Sequence, residues 1–184
     1  CYFYYRFNDD VADSCAGSGG GTLTKAGGAH TDSAGKMGNG LTLDGSGDYA
    51  TGTIGDITLS SDWGVEAWIK PDDSDDGAIF AIADHGNNGG NDEDNNELSI
   101  HLVSGDELRI CSGGEMICAT TSGVNFQTGN WYHIAATYDD SDSQADIYVN
   151  NKREQTDISF VSFRGEPSSA KVIIGSGDDS EIYM

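Results

Sequence analysis

Two segments late in the chain read as strands. Residues 131–139 and 145–151 are rich in β-branched and aromatic side chains, and the polar stretch 140–144 between them reads as a hairpin loop. In the second segment Ala145, Ile147 and Val149 fall on one face, and Asp146, Tyr148 and Asn150 on the other. A period of two marks a strand with one face in a core and the other in water.

The same reading extends along the chain. Residues 2–7 form an aromatic strand, and residues 40–45 and 48–51 form two short strands around a Gly-Ser-Gly turn. Residues 65–71 form a strand ended by Pro71. Residues 78–83 are continuously apolar, and residues 97–103 place Leu98, Ile100 and Leu102 on one face. Residues 171–175 make a late strand, and residues 181–184 begin another. Residues 9–34 read as loop, including the glycine run at 17–21. That run lacks the G-K-[ST] ending of a phosphate loop. No segment holds a 3.6-residue period with caps, so long helices are not expected. The 184 residues suit one domain spanning residues 1–184, all-β with many turns.

Charge narrows the partners. With 31 acidic and 9 basic residues the net charge is −22. Phosphate binding needs clustered Lys and Arg, so nucleic acid is excluded, and anionic membrane surfaces are disfavoured. The longest apolar run is too short to span a membrane, and no secretory leader is visible at the start, where one could already have been removed ahead of Cys1. The acid excess has three compatible readings: solubility through self-repulsion, adaptation to salty water, and divalent cations held by acidic loops.

Cys111 and Cys118 bracket six residues between two strand-like arms, which favours a cross-strand disulfide. Cys1 would then pair with Cys15, although four cysteines permit three connectivities and reduced thiols are the alternative. An even cysteine count in an acidic, glycine-rich β domain favours an oxidising, extracellular compartment.

The wording of these segments is familiar as well as their pattern. The order Asp13-Ser14, Gly40 through Tyr49, Glu66-Ala67-Trp68-Ile69-Lys70-Pro71, W-Y-H-I-A-A-T-Y-D, I-Y-V-N-N and Ile174-Gly175 resembles the laminin-G-like (LamG-like) jelly rolls of the concanavalin A-like lectin/glucanase superfamily. The resemblance implies a two-sheet antiparallel jelly-roll sandwich of roughly a dozen strands. It places Trp68 and Trp131 at core positions and leaves Trp63, ahead of its strand, as the more exposed stacking candidate. His133 matches a packing and hydrogen-bonding position. Asn151 stands where the family usually has glycine at a hairpin turn, and asparagine tolerates φ > 0. Family members usually continue into a closing strand. A chain lacking it would present an open sheet edge that invites self-association.

The resemblance also points to metal. The acidic loop 91–97 resembles the calcium loop of pentraxins, relatives with the same jelly roll. Asp92, Asp94, Asn95 and Asn96 would supply oxygen ligands, joined by Asp178 and Asp179 after the Ile174-Gly175 strand. Hard cations such as Ca²⁺ prefer such donors. Asp84, with Trp63, is a candidate ligand-binding residue. Residues 72–77 match the first half of a calcium loop but lack its bidentate Glu, and Asn8, Asp9, Asp10 and Asp13 form a third acidic group.

Catalysis is not expected. Glycosidases of this superfamily need two carboxylates across the sugar, commonly spaced as E-x-D-x-E on one strand, and no such motif occurs. No G-x-S-x-G elbow is present either. These features lead to a non-catalytic, extracellular, calcium-supported binding module for carbohydrate or protein. The alternatives are a structural subunit of a fibre or surface assembly built by strand complementation and, a distant third, a glycoside hydrolase.

Overall fold

The computed structural model describes residues 1–8, 10–15, 20–32, 35–44, 47–72, 77–83, 96–103, 107–112, 117–159 and 170–175. Thirteen strands lie among them: β1 (Thr24–Ala26), β2 (His30–Asp32), β3 (Gly40–Thr42), β4 (Tyr49–Gly55), β5 (Trp63–Ile69), β6 (Gly77–Ala83), β7 (Asn96–Val103), β8 (Glu107–Ser112), β9 (Ile117–Thr120), β10 (Tyr132–Asp139), β11 (Gln144–Val149), β12 (Lys152–Ser159) and β13 (Ala170–Ile174). The described residues contain no helix.

The strands form a seven-stranded sheet in the order β1-β4-β13-β6-β7-β8-β9, a four-stranded sheet in the order β12-β11-β10-β5, and the small pair β2-β3. All the pairings are antiparallel. One apolar cluster joins the two larger sheets. Ile54, Ile82, Leu98, Ile110 and Val172 enter it from the seven-stranded sheet, and Ile134, Ala136, Tyr138, Ile147 and Val149 from the four-stranded one. This is a sandwich core, in which alternate residues of each strand interdigitate. Each fully buried aliphatic side chain contributes about 1.5–3 kcal/mol relative to exposure.

The alternation in residues 145–151 is realised as read: Ala145, Ile147 and Val149 are buried, while Asp146 and Tyr148 are half-exposed on the opposite face. The turn from β11 to β12 consists of Asn150 and Asn151, with φ of 50° and 65°. Two consecutive left-handed residues make the turn whose twist matches a two-residue hairpin. The Asn150 side chain also accepts the His133 backbone N–H at 3.0 Å.

Three expectations change. The expected loop 9–34 contains β1 and β2, and β3, within the expected strand 40–45, pairs back onto β2 (His30↔Thr42) while β4 joins the large sheet. These three-residue strands carry too few apolar positions to show a period. The polar strand β12 had no counterpart in the sequence reading. It is the edge of its sheet and pairs with β11 across a bulge. Residues 2–7 form no ladder strand, only the isolated bridge Tyr5↔Asp13. They nevertheless keep strand parity. Phe3, Tyr5 and Phe7 pack on the core, Phe3 lying 6.0 Å from Phe80, whereas Tyr2 and Tyr4 are exposed.

Both expected disulfides are present, Cys1–Cys15 and Cys111–Cys118. Cys111 and Cys118 are direct cross-strand partners of β8 and β9. Asp13 holds the N-terminal loop, accepting the Tyr4 and Cys15 backbone N–H groups at 2.8 and 2.9 Å. Asp48 does the same between sheets. Its buried carboxylate accepts the Gly28 N–H and, at 3.0 Å, the Asp44 N–H. A Cβ on Gly27 would overlap both the Gly47 carbonyl and this carboxylate, so the turn before β2 requires glycine there.

Candidate functional site

Strand parity decides what the four-stranded sheet shows to solvent. In β5 the residues 63, 65, 67 and 69 face the core, so Gly64, Glu66 and Trp68 face out. Register with β10 and β11 then sets three cross-strand rows on the outer face. Trp68 lies opposite His133. Glu66 lies opposite Ala135, which lies opposite Tyr148. Gly64 lies opposite Thr137, which lies opposite Asp146. Gly64 and Ala135 are small, so the floor of this face is low at those two positions, with Glu66 and Tyr148 standing on either side of Ala135. From Gly64 to Trp68 the floor extends about 14 Å, four residues of strand rise.

Trp68 is 40% exposed. The His133 ring lies 5.2 Å from it, tilted by 56°, and Nε2 of His133 is 3.4 Å from a Glu66 carboxylate oxygen. The Lys36 ammonium sits over the indole, 4.7 Å from the ring centroid. Such an exposed cation–π contact is worth about 0.5–1 kcal/mol, so the lysine is held weakly. Here the structure corrects the sequence reading. Trp68, expected in the core, is a surface residue. Trp63, expected to be the exposed one, opens β5 on the core side and stacks on Tyr138 at 5.6 Å. Trp131, also expected in the core, precedes β10 and is half-buried. His133 packs against Trp68, as its position in the resemblance implied, and its backbone N–H donates to Asn150.

At its Gly64 end the floor runs into an open depression of about 380 Å³ lined by Asp62, Thr137, Asp139, Asp142, Asp146 and Arg153, among others. Its carboxylates first serve the loop between β10 and β11. Asp62 Oδ1 accepts the Asp140 N–H at 3.0 Å, and Asp142 Oδ1 accepts the Gln144 N–H at 3.1 Å. Asp139 Oδ1 accepts both the N–H and the hydroxyl of Ser141 at 2.9 and 2.6 Å, which holds its carboxyl below the usual carboxylate range. Arg153 donates to Asp146 at 2.7 Å. The loop bonds use Oδ1 of Asp62, Asp139 and Asp142, which leaves Oδ2 of each as an acceptor. The signal for this site in the sequence was the outward parity of Glu66, Trp68, Asp146 and Tyr148. The acidic turn 139–142 gave no further sign, since such clusters also serve as ordinary loop clamps.

The other candidate residues fall differently. Asp84, Asp92, Asp94, Asn95, Asp178 and Asp179 lie outside the described residues, as do residues 73–76, and Asn96 is the first residue of β7. Of the N-terminal acidic group, Asn8 Oδ1 accepts the Asn39 N–H and Asp10 Oδ1 the Ala12 N–H. Among the described residues no group of three or more His, Cys, Asp or Glu side chains is gathered as a metal site.

The family model Laminin_G_3, described as the concanavalin A-like lectin/glucanases superfamily, matches residues 44–183. The chain belongs to this superfamily. Among solved structures, this superfamily member is similar to domain 4 of AbnA, a GH43 extracellular arabinanase from Geobacillus stearothermophilus, in complex with arabinotriose. The TM-score is 0.70 at 19% identity, over 99% of this chain and 85% of that one. It is also similar to a native heptameric SAP-like pentraxin from Limulus polyphemus, with TM-score 0.55 at 17% identity, over 71% of this chain and 58% of that one. A third likeness is to domains LG4-5 of the mouse laminin alpha1 chain, with TM-score 0.52 at 15% identity, over 70% of this chain and 32% of that one. At these identities the likeness is one of fold. No curated protein matches the chain in sequence.

Proposed function

We propose that this domain is a non-catalytic, extracellular carbohydrate-binding module. The observation that carries the reading is the likeness, over 99% of this chain, to a domain whose structure is in complex with arabinotriose. The chemistry of the depression agrees with it. A glycosidase needs one carboxyl raised above its usual range to act as general acid. Asp139 is shifted the opposite way by Ser141, which suits a permanent hydrogen-bond acceptor for hydroxyl groups. The two disulfides support an oxidising, extracellular setting.

Calcium belongs to the same proposal. Asp92, Asp94, Asn95, Asn96, Asp178 and Asp179 carry carboxylate and amide oxygens of the kind that Ca²⁺ takes as ligands. Bound there, the ion would neutralise part of an acid excess that otherwise repels itself.

The test is co-sedimentation of the chain with insoluble polysaccharides, including arabinan, in millimolar Ca²⁺ and in EGTA, with thermal melts alongside. The proposal expects retention on at least one polysaccharide, a higher melting temperature with Ca²⁺, and no release of sugar. Absence of retention on every polysaccharide would refute the binding reading. Melts indifferent to EGTA would refute the calcium part alone.

A further inference from the structure

Nothing in the mutual packing of the strands requires an indole on the outer face of β5. The core is closed by Val65, Ala67 and Ile69 on the other side, yet Trp68 stands 40% exposed. Beside it, Gly64 and Ala135 keep the face low at two positions, Glu66 and Tyr148 stand on either side of Ala135, and a Cβ on Gly64 would meet its nearest atoms only at 3.7 and 3.8 Å, ordinary contact distances. At the far end lie polar groups, with Thr137 and Asp146 lining the depression. The apolar ring and these polar groups are thus about 14 Å apart along the strands. That separation is too long for one sugar ring and suits a short chain of them.

We propose that this strip is the subsite for a neutral oligosaccharide, which lies along β5 and β10 with one ring stacked on Trp68 and its far hydroxyls bonded at Asp146 and Thr137. The inference rests on the carbohydrate-binding reading above and adds the place and the class of sugar. An indole offers a flat apolar face with a polar edge, and sugar rings present flat C–H faces to such surfaces. Weakly held Lys36 swings off the ring when a sugar takes its place. Glu66 and His133 flank the stacked ring and bond its hydroxyls. Charge selects the class. Glu66, Asp62, Asp139, Asp142 and Asp146 outnumber Lys36 and Arg153, so the strip repels uronic and sialic acids and accepts uncharged sugars.

The test uses the full 184-residue chain, labelled with ¹⁵N and titrated with arabinotriose and, separately, with trigalacturonate as the charged counterpart. The indole N–H signal of Trp68 is assigned from a Trp68→Phe variant. Arabinotriose is expected to move that signal together with the Ala135 and Thr137 amides, and trigalacturonate is expected to bind roughly tenfold or more weakly. Trp68→Ala is expected to weaken arabinotriose about tenfold or more, the effect of losing an aromatic anchor, while the remaining amide pattern shows an intact fold. Arabinotriose binding that leaves Trp68 and Ala135 unmoved, or that survives Trp68→Ala within twofold, overturns this subsite while leaving the carbohydrate reading standing. Equal or tighter binding of trigalacturonate overturns the choice of neutral sugars. Failure of arabinotriose to shift any signal, together with failure of every polysaccharide to retain the protein, overturns both readings.

Discussion

The N-terminal segment offers the sharpest test of how the sandwich is held. Residues 1–15 contribute Phe3, Tyr5 and Phe7 to the edge of the core, but among the described residues the segment is tied on by a single bridge, Tyr5↔Asp13, and a few loop bonds. These include Ser14 N–H to the Tyr4 carbonyl at 2.7 Å and the Tyr5 hydroxyl to the Gly21 carbonyl at 3.1 Å. The Cys1–Cys15 disulfide spans a sequence separation of 14. Closing a loop of about 15 residues restrains the unfolded chain by about 3 kcal/mol, a large part of the roughly 5–15 kcal/mol that holds a domain folded. The double variant Cys1→Ser/Cys15→Ser is therefore expected to lose about 3 kcal/mol in urea unfolding. Without the crosslink the segment also frays, so Arg6 becomes a site for trypsin under native conditions. The Cys111–Cys118 pair provides the contrast. From the same relation its shorter loop is worth about 2.5 kcal/mol, but its arms are also held by four ladder pairs and by Thr121, whose hydroxyl accepts the Leu108 N–H at 2.9 Å. Cys111→Ala/Cys118→Ala is thus expected to lower stability without opening a new protease site. A loss under about 1 kcal/mol in the first variant, with Arg6 still resistant, would show that aromatic packing and not the crosslink fixes the segment.

Three further outcomes follow from the same structure. Ile147 is fully buried between the sheets, so Ile147→Ala is expected to cost about 2–5 kcal/mol in urea melts; a cost below about 1 kcal/mol would contradict the core as described. Asn151 sits at φ 65°, so Asn151→Ala is expected to cost about 1–2 kcal/mol while Asn151→Gly is tolerated, and equal stability of the two would argue against the left-handed turn. The Asp48 carboxyl is held below its usual range, chiefly by the Asp44 N–H against the opposing effect of burial, with help from the Gly28 N–H. A lowered folded value stabilises above the ordinary carboxylate pKa near 4, and that stabilisation is lost as pH falls through the folded value. The stability gap between the protein and Asp48→Asn is therefore expected to shrink as thermal melts move from about pH 7 to about pH 2, and a gap independent of pH would refute the assignment.

How far the sequence could be read depended on whether each strand had an apolar face to display. The strands β10 and β11 were legible because β10 is rich in β-branched and aromatic residues and because Ala145, Ile147 and Val149 in β11 alternate with Gln144, Asp146 and Tyr148. β12, spelled KREQTDIS, has almost no apolar face to alternate, and its place at a sheet edge does not demand one. β1 and β2 are three residues each, shorter than any period can show. The tryptophans carry a different lesson. Val65, Ala67 and Ile69 sit one residue out of step with Glu66, Trp68 and Lys70. Parity alone therefore places Trp68 with the charged residues on the outside and brings Trp63 in with Val65. Likeness of wording had pointed the other way. The depression beside β10 was the least legible feature, because it depends on register between β5, β10, β11 and β12, which no local pattern encodes.

The central claim is that this sandwich binds sugar chains and leaves them intact. Isothermal titration of the 184-residue chain with arabinotriose in Ca²⁺, followed by chromatography of the recovered sugar, tests it most directly. Saturable heat and arabinotriose recovered at its original length are expected; shortened sugars, or heat no greater than that of dilution together with no retention on any polysaccharide, would contradict that function.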